Sequence, residues 1–326
     1  MFDEYKEHDY AIYAGYLTDK TKLVKSTSGG IASALTEHMI DQGGYVAGVV
    51  YSKDFYNAEY LLTQDKSDID RLKGSKYIDS NKKGIFIQVK KLLDSGSKVL
   101  FIGLPCTIGA LYSYIGTRPD NLITCELICH GPTTIQVHRE YISYLEKKHK
   151  AKITNFSVRH KKEAWQPPYL RATFDNGKFF EKPFYSTEYG YAFSILGRES
   201  CYQCKYKGNN RKGDIMLGDF WGATENDEFW NKYGVSSVFA ETEKGDAFIK
   251  SVPGIKLFST TFDRAVEKNQ MVIKSKTKHH NLDKFDDLLS RKGLIYAFKH
   301  SIPIKRRIIR TISKLIPVKI KHIIKK

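Results

Sequence analysis

Four of the five cysteines in this chain have the type and spacing to build one shared centre. Cys201 and Cys204 form a C-x-x-C pair within SCYQCKYKG, a spacing that serves zinc, dithiol redox chemistry and iron–sulfur ligation alike. Cys106 in GLPCTIG and Cys129 in LICHGP each close an apolar run of strand character. In an open parallel sheet ligands bind outside the carboxyl ends of the strands, so both thiols are expected at one crevice. A thioredoxin-like pair would follow a strand directly and open a helix, whereas this pair sits in a basic, tyrosine-rich loop. Structural zinc usually draws on two short-range pairs, and Cys106 and Cys129 do not form one. Residue chemistry alone leaves all three centres open. Cys125, four residues before Cys129 on the same expected strand and face, reads as a small buried hydrophobe, with a substitute ligand as the alternative.

A sheet must position those thiols, and the first half of the chain spells one out. Residues 10–16 (YAIYAGY) are β-prone, and 30–40 (GIASALTEHMI) carry apolar residues at helical spacing behind the small residues Ser26, Thr27, Ser28 and Gly29. Residues 45–51 (YVAGVVY) and 98–103 (KVLFIG) are near-continuous apolar runs, the mark of strands buried on both faces, with a helix expected over 84–93 between them. Residues 122–128 read as the next strand, followed by a turn at His130, Gly131 and Pro132 and a helix through Tyr144. This alternation predicts an α/β fold, a mostly parallel sheet core flanked by helices. After residue 150 the pattern becomes strand-rich, with strands expected over 153–159, 170–174 and 178–184. The last two are joined by Asp175-Asn176-Gly177, a hairpin signal. A strand over 236–241 and a helix from Lys244 follow. The expected organisation is an α/β region over 1–150, a smaller strand-rich region over 151–287 packed on it, and a basic tail over 288–326.

With 326 residues and 41% hydrophobic content, the chain can bury a substantial core. It has no run of eighteen uncharged apolar residues, and its start, MFDEYKEHDY, is acidic and polar. Neither a membrane span nor a secretory signal is expected, and the chain reads as cytoplasmic. Five cysteines are too few for a disulfide scaffold. The net charge of +17 is concentrated at the end, where residues 288–326 contain no Asp or Glu and their basic residues interleave with isoleucines. That pattern suits a basic amphipathic helix on the anionic inner face of a membrane; the alternative is a terminal helix packed on the body. Specific nucleic-acid binding is not expected, because the tail lacks stacking aromatics.

With KSTSGGIASAL, KGSKYIDS, LFIGLPCTIGAL, LICHGPTT, RESCYQCKYKGNNRKGDIMLGDFWG and GVSSVFAETEKG in this order, the sequence resembles the coenzyme F420 hydrogenase/dehydrogenase beta-subunit family. The resemblance implies a flavoprotein that binds FAD and a [4Fe–4S] cluster, with the flavin assigned to the region over 1–150 and cluster binding to the strand-rich region over 151–287. Cys106, Cys129, Cys201 and Cys204 match the cluster ligands, and Cys125 does not. Many relatives carry a cysteine-dense ferredoxin-like segment ahead of this core, and nothing of that kind precedes Tyr10. Electrons are therefore expected to come from a separate redox protein such as a ferredoxin. Shortened bacterial relatives are often linked to surface polysaccharide biosynthesis, so the two-electron donor or acceptor need not be the deazaflavin. A non-enzymatic membrane scaffold that keeps its metal for stability is the alternative.

The resemblance also assigns roles beyond the cysteines. Ser26, Thr27, Ser28, Gly29 and Gly30 would offer backbone N–H groups and a helix start to a flavin phosphate, although they form neither a G-x-G-x-x-G nor a P-loop. Ser75, Lys76 and Tyr77 would follow, Lys76 stabilising the reduced ring and Tyr77 stacking on it; a surface lysine is the ordinary alternative. His130 would hydrogen-bond the flavin or tune the cluster, Pro105 and Gly131 would flank the cofactors, and in GDFWG Asp219 would take a ribose or backbone hydrogen bond while Trp221 shields the ring. A tight turn with a core tryptophan is the plainer reading of that segment. Arg198, Lys205, Lys207, Arg211 and Lys212 surround the C-x-x-C pair and are expected to lower its thiol pKa values, or else to be solvated loop charge.

Overall fold

The structure is a computed structural model that describes residues 11–302. Its strands are β1 (Ile12–Leu17), β2 (Tyr45–Tyr51), β3 (Ala58–Thr63), β4 (Val99–Gly103), β5 (Leu122–Leu127), β6 (Ile153–His160), β7 (Tyr169–Phe174), β8 (Phe179–Pro183), β9 (Ile215–Asp219), β10 (Ser236–Ala240) and β11 (Ile255–Ser259). Within the described residues they form an eight-stranded sheet, ordered β11-β1-β10-β9-β5-β4-β2-β3, and a three-stranded sheet, β6-β7-β8. The expected parallel core is the central run β2, β4, β5 and β9. Antiparallel pairings extend it through β3 on one side and through β10, β1 and β11 on the other.

The apolar runs form buried strands because successive side chains enter opposite cores. Val46, Leu100 and Ile123 pack with Leu35 and Met39 of the helix Ile31–Asp41 on one face. Their neighbours Ala47, Val99 and Leu122 pack on the other face with Val89 of the helix Ile85–Asp94 and Leu111 of the helix Pro105–Ile115. Cys125 is fully buried in the first of these cores. Because β5 ends at Leu127, Cys129 lies beyond the strand and does not share a strand face with Cys125.

The small sheet has its own core, in which Phe156, Val158 and Leu170 pack on Tyr141 and Leu145 of the helix Ile135–His149. The hairpin forms as expected, with Gly177 at φ 75 and its N–H on Phe174 O at 3.0 Å. Two boundaries differ from expectation. The chain does not divide at residue 150, because β9, β10 and β11 return to the large sheet and pair with β5 and β1. The boundary at 288 falls inside the helix Leu282–Lys292; Phe285 and Leu289 of this helix and Leu294 and Ala297 of the next, Leu294–Ser301, are buried in the small-sheet core. The rest of the expected amphipathic tail, residues 303–326, lies outside the described residues. No helix of the described residues is long and apolar enough to cross a membrane.

Candidate functional site: a cysteine-lined cavity beside a cleft

The carboxyl ends of the adjacent parallel strands β4 and β5 deliver two thiols to one place. After β4 the chain turns at Leu104 and enters the helix Pro105–Ile115 with proline at its start, where a missing N–H costs nothing. Cys106 is thereby fixed in the first turn. Cys129 follows β5, and its Sγ accepts the Gly131 N–H at 3.3 Å. The other pair arrives from across the crevice. Cys201 lies in the short helix Glu199–Tyr202, and just beyond it the Cys204 N–H donates to Ser275 Oγ at 3.0 Å. All four cysteines line one cavity of about 330 Å³. Gly131, at φ 84, marks where the segments meet, since a Cβ there would lie 3.4 Å from Cys201 Sγ. All five cysteines are free thiols. The four ring a cavity rather than a point: among the described residues no three His, Cys, Asp or Glu side chains stand close enough to hold a single ion.

The two thiols delivered by the sheet are shifted against ionisation. Burial pushes Cys106 and Cys129 up, and the cations Arg198 beside the first and Lys207 beside the second offset only part of that. Of the other cations expected here, Lys205 lines the cavity. Arg211 does not, because it forms a buried ion pair with Glu126 at 2.9 Å, and Lys212 is exposed. Lys276, not anticipated, also lines the cavity and donates to Phe193 O at 2.9 Å and to Leu196 O. Lys207 Nζ donates to Cys129 O at 2.8 Å and Met271 O at 2.5 Å. Burial lowers the pKa of both lysines, and the neighbouring cysteines raise it. Half-buried cations facing thiols favour an anionic centre, and the donor set fits a thiolate-held cluster.

A second cavity of about 270 Å³ opens beside the first. The two share Leu104, Cys129, His130, Gly131 and Pro132, so a single layer of residues separates the cysteines from the cleft. Of the small-residue loop, Thr27, Ser28 and Gly30 line the cleft. Ser26 and Gly29 do not appear on its wall. Ser26 Oγ donates to Lys22 O at 2.8 Å at the end of the preceding helix, and Gly29 is packed so closely that a Cβ would lie 2.1 Å from Gly15 O. Gly30, at φ 79, turns the chain into the helix Ile31–Asp41, whose first turn has no side-chain cap and borders the cleft. Pro105 faces the cysteine cavity and not the cleft.

Ser75, Lys76 and Tyr77 all line the cleft. Lys76 Nζ caps a helix end, donating to the carbonyls of Arg71, Leu72 and Lys73 at 3.0, 3.1 and 2.8 Å, while burial and nearby Arg71 push its pKa down to about 7. Its proton is thus held by backbone. The Tyr77 ring already stacks on Phe193 at 4.3 Å. His130 borders both cavities with its ring 5.1 Å from Trp221, and burial with Lys207 pushes its pKa down to about 4, so the imidazole is neutral at pH 7. Asp219, at the end of β9, accepts from Trp221 Nε1 at 2.9 Å and from Arg159 Nη1 at 2.6 Å. Arg159 holds the Asp219 carboxyl below its ordinary range despite burial.

Like Lys276, Arg159 and Lys161 are residues that sequence reasoning missed. Arg159, on β6 of the small sheet, lines the cleft. Lys161 is 5% exposed and donates to Leu23 O at 2.7 Å and Ser28 O at 2.6 Å, which fixes the small-residue loop from below. The only sequence signal was a basic run, RHKK, which reads as solvated surface.

Fold and site together define an α/β protein with a ligand cleft at the carboxyl edge of its parallel strands and a thiol-lined cavity sharing the cleft wall. Two family models match it: the coenzyme F420 hydrogenase/dehydrogenase beta subunit N-terminal model over residues 12–81 and the corresponding C-terminal model over residues 96–260. The chain belongs to the coenzyme F420 hydrogenase/dehydrogenase beta-subunit family, a family of oxidoreductase subunits. Among solved structures, it resembles a chain from the xenon-derivatised F420-reducing [NiFe] hydrogenase complex of Methanosarcina barkeri, with a TM-score of 0.54 and 16% identity over 87% of this chain and 93% of that one. At that identity the likeness speaks to fold. No curated protein matches.

Proposed function

We propose that this protein is an FAD- and [4Fe–4S]-dependent electron-transfer oxidoreductase that passes electrons between a two-electron donor or acceptor and a one-electron partner protein. The observation that carries the proposal is the shared wall: the thiol-lined cavity and the cleft meet at Leu104 and at Cys129, His130, Gly131 and Pro132. Cofactors held on either side of one residue layer are close enough to exchange electrons directly. Cys106, Cys129, Cys201 and Cys204 would hold the cluster, and the cleft would hold the flavin. When bound, the flavin would supply two-electron chemistry and the cluster one-electron chemistry.

The protein's own residues do the rest. Lys207 and Lys276 place positive charge beside the thiols and favour their anionic form. His130, neutral and on the shared wall, can accept or donate one hydrogen bond toward the cleft. Trp221 is 38% exposed, and with its Nε1 tied to Asp219 it covers the cleft from solvent. A separate redox protein such as a ferredoxin is proposed as the one-electron partner; the similar solved chain is itself part of a hydrogenase complex. Work in surface polysaccharide assembly at the inner membrane face is proposed on the resemblance and on the basic composition of the tail.

Anaerobic purification with iron, sulfide and flavin quantitation tests this directly. Roughly four irons and four sulfides per chain, with one flavin, are expected. Colourless protein carrying stoichiometric zinc would refute the proposal.

A further inference from the structure

The charges on the cleft wall do not balance. Lys73, Lys76 and Arg159 line it, while Asp219 is the only carboxylate among the lining residues. Asp70 neutralises Lys73 at 2.6 Å, and Asp219 takes one N–H of Arg159 at 2.6 Å. Lys76 remains, and two residues beyond Arg159 the buried Lys161 adds another cation with only carbonyl partners, Leu23 O and Ser28 O. Burying surplus charge is costly unless an opposite charge joins it. Both lysines respond as that predicts, with burial pushing each down to about 7. Arg159 cannot escape by deprotonation, and its planar fork has five N–H donors, more than Asp219 and the nearby Tyr77 hydroxyl can use. Ser28, whose hydroxyl donates to Val235 O at 2.9 Å, lines the cleft together with Asp219 and Arg159, so the guanidinium and the 26–30 loop border the same cavity.

We propose that Arg159, carried into the cleft by the small sheet, binds the phosphate groups of the flavin nucleotide, and that Lys161 is the positioning residue that holds the 26–30 loop beside it. The assignment rests on the flavin reading above. It identifies the ligand's anionic part as the feature the cleft selects, and it makes the small sheet a contributor to the binding site.

The experiment compares FAD with riboflavin, which has the same ring system and no phosphate, by fluorescence titration of flavin-depleted full-length protein. Wild type should prefer FAD. Arg159→Met should weaken FAD by roughly 10- to 100-fold, the worth of a charge-assisted hydrogen bond, and leave riboflavin unchanged; Arg159→Lys should recover part of the loss. Lys161→Met, close in volume and uncharged, should reduce the FAD preference in the same direction. Iron content and thermal melting of each variant report whether the fold is intact. Equal losses for FAD and riboflavin in Arg159→Met, or no loss for either, would overturn the assignment; so would an unchanged preference that points to an anion on the second reactant. If wild type binds neither flavin, the proposed function falls first and takes this assignment with it.

Discussion

Arg211→Met should destabilise the protein by about 3–5 kcal/mol, the range for removing one partner of a buried ion pair. The Arg211 and Glu126 side chains are 2% and 0% exposed and meet at 2.9 Å. Arg211 Nη2 also donates to Val272 O at 2.8 Å, and Glu126 Oε2 accepts the Gly213 N–H at 3.2 Å. Methionine would fill much of the volume but leave the Glu126 carboxylate with one backbone donor in a dry core. Replacing both residues with methionine removes the stranded charge, and most of the loss should return, to within about 1–2 kcal/mol of wild type. The pair also joins β5, just ahead of Cys129, to the segment that follows Cys204. With the proposed cluster bound, the single variant should therefore release iron before the body unfolds. Anaerobic urea denaturation, followed by tryptophan fluorescence and by the visible absorbance of the metal centre, measures both effects. A single variant within about 1 kcal/mol of wild type, or a double variant no more stable than the single, would refute the reasoning.

Three further outcomes follow from the same geometry. Burial and neighbouring Glu126 push Glu241 up to about 8 from an ordinary 4.5. The folded state thus holds this proton where the unfolded state has lost it, and stability should fall as pH rises from about 4.5 to about 8; in Glu241→Gln that part of the slope should vanish, and an unchanged slope would count against the assignment. Gly131→Ala should cost about 1–2 kcal/mol, because it places a side chain at φ 84 and 3.3 Å from the Cys201 Cβ, and it should lower iron content as well; full iron content would show that the meeting point tolerates a Cβ. Cys125→Ala should keep its iron, since Cys125 is buried among the apolar side chains of β5's inner face. Iron loss there matching that of Cys129→Ser would make Cys125 a ligand.

What was legible in the chain depended on how one-sided each segment's surroundings are. β2 occupies the expected residues 45–51 because both its faces meet apolar cores, and that leaves a continuous apolar run. The hairpin at 175–177 was legible because Asn-Gly solves a local backbone problem without distant partners. β3 was missed because it is an edge strand whose sequence, AEYLLT, keeps several residues half exposed. The helix Leu282–Lys292 was cut in two by the expected tail boundary at 288, since charge drew attention away from Phe285 and Leu289, which anchor it in the small-sheet core. Arg159 was illegible for a different reason. Its meaning comes from Asp219, sixty residues on and in another sheet, so no local pattern separates it from its exposed basic neighbour Lys162.

That long-range dependence bears on how the site works as a unit. The first half of the chain supplies the carboxyl edges of β4 and β5 with Cys106 and Cys129, but neither cavity is complete there. Cys201 and Cys204 close one, and Arg159, Asp219 and Trp221 close the other, all contributed after residue 150. A ligand in either cavity touches both parts and has no equivalent site on the unfolded chain. Its binding free energy therefore adds to the packing of the later segments on the first half of the chain. The buried Lys161 and the half-buried Lys207 and Lys276 make the same point from the electrostatic side: each spends its donors on backbone carbonyls across a junction between segments, and each would be better solvated by an anion than by those carbonyls alone. An anionic ligand in either cavity would in this sense help hold the junction together.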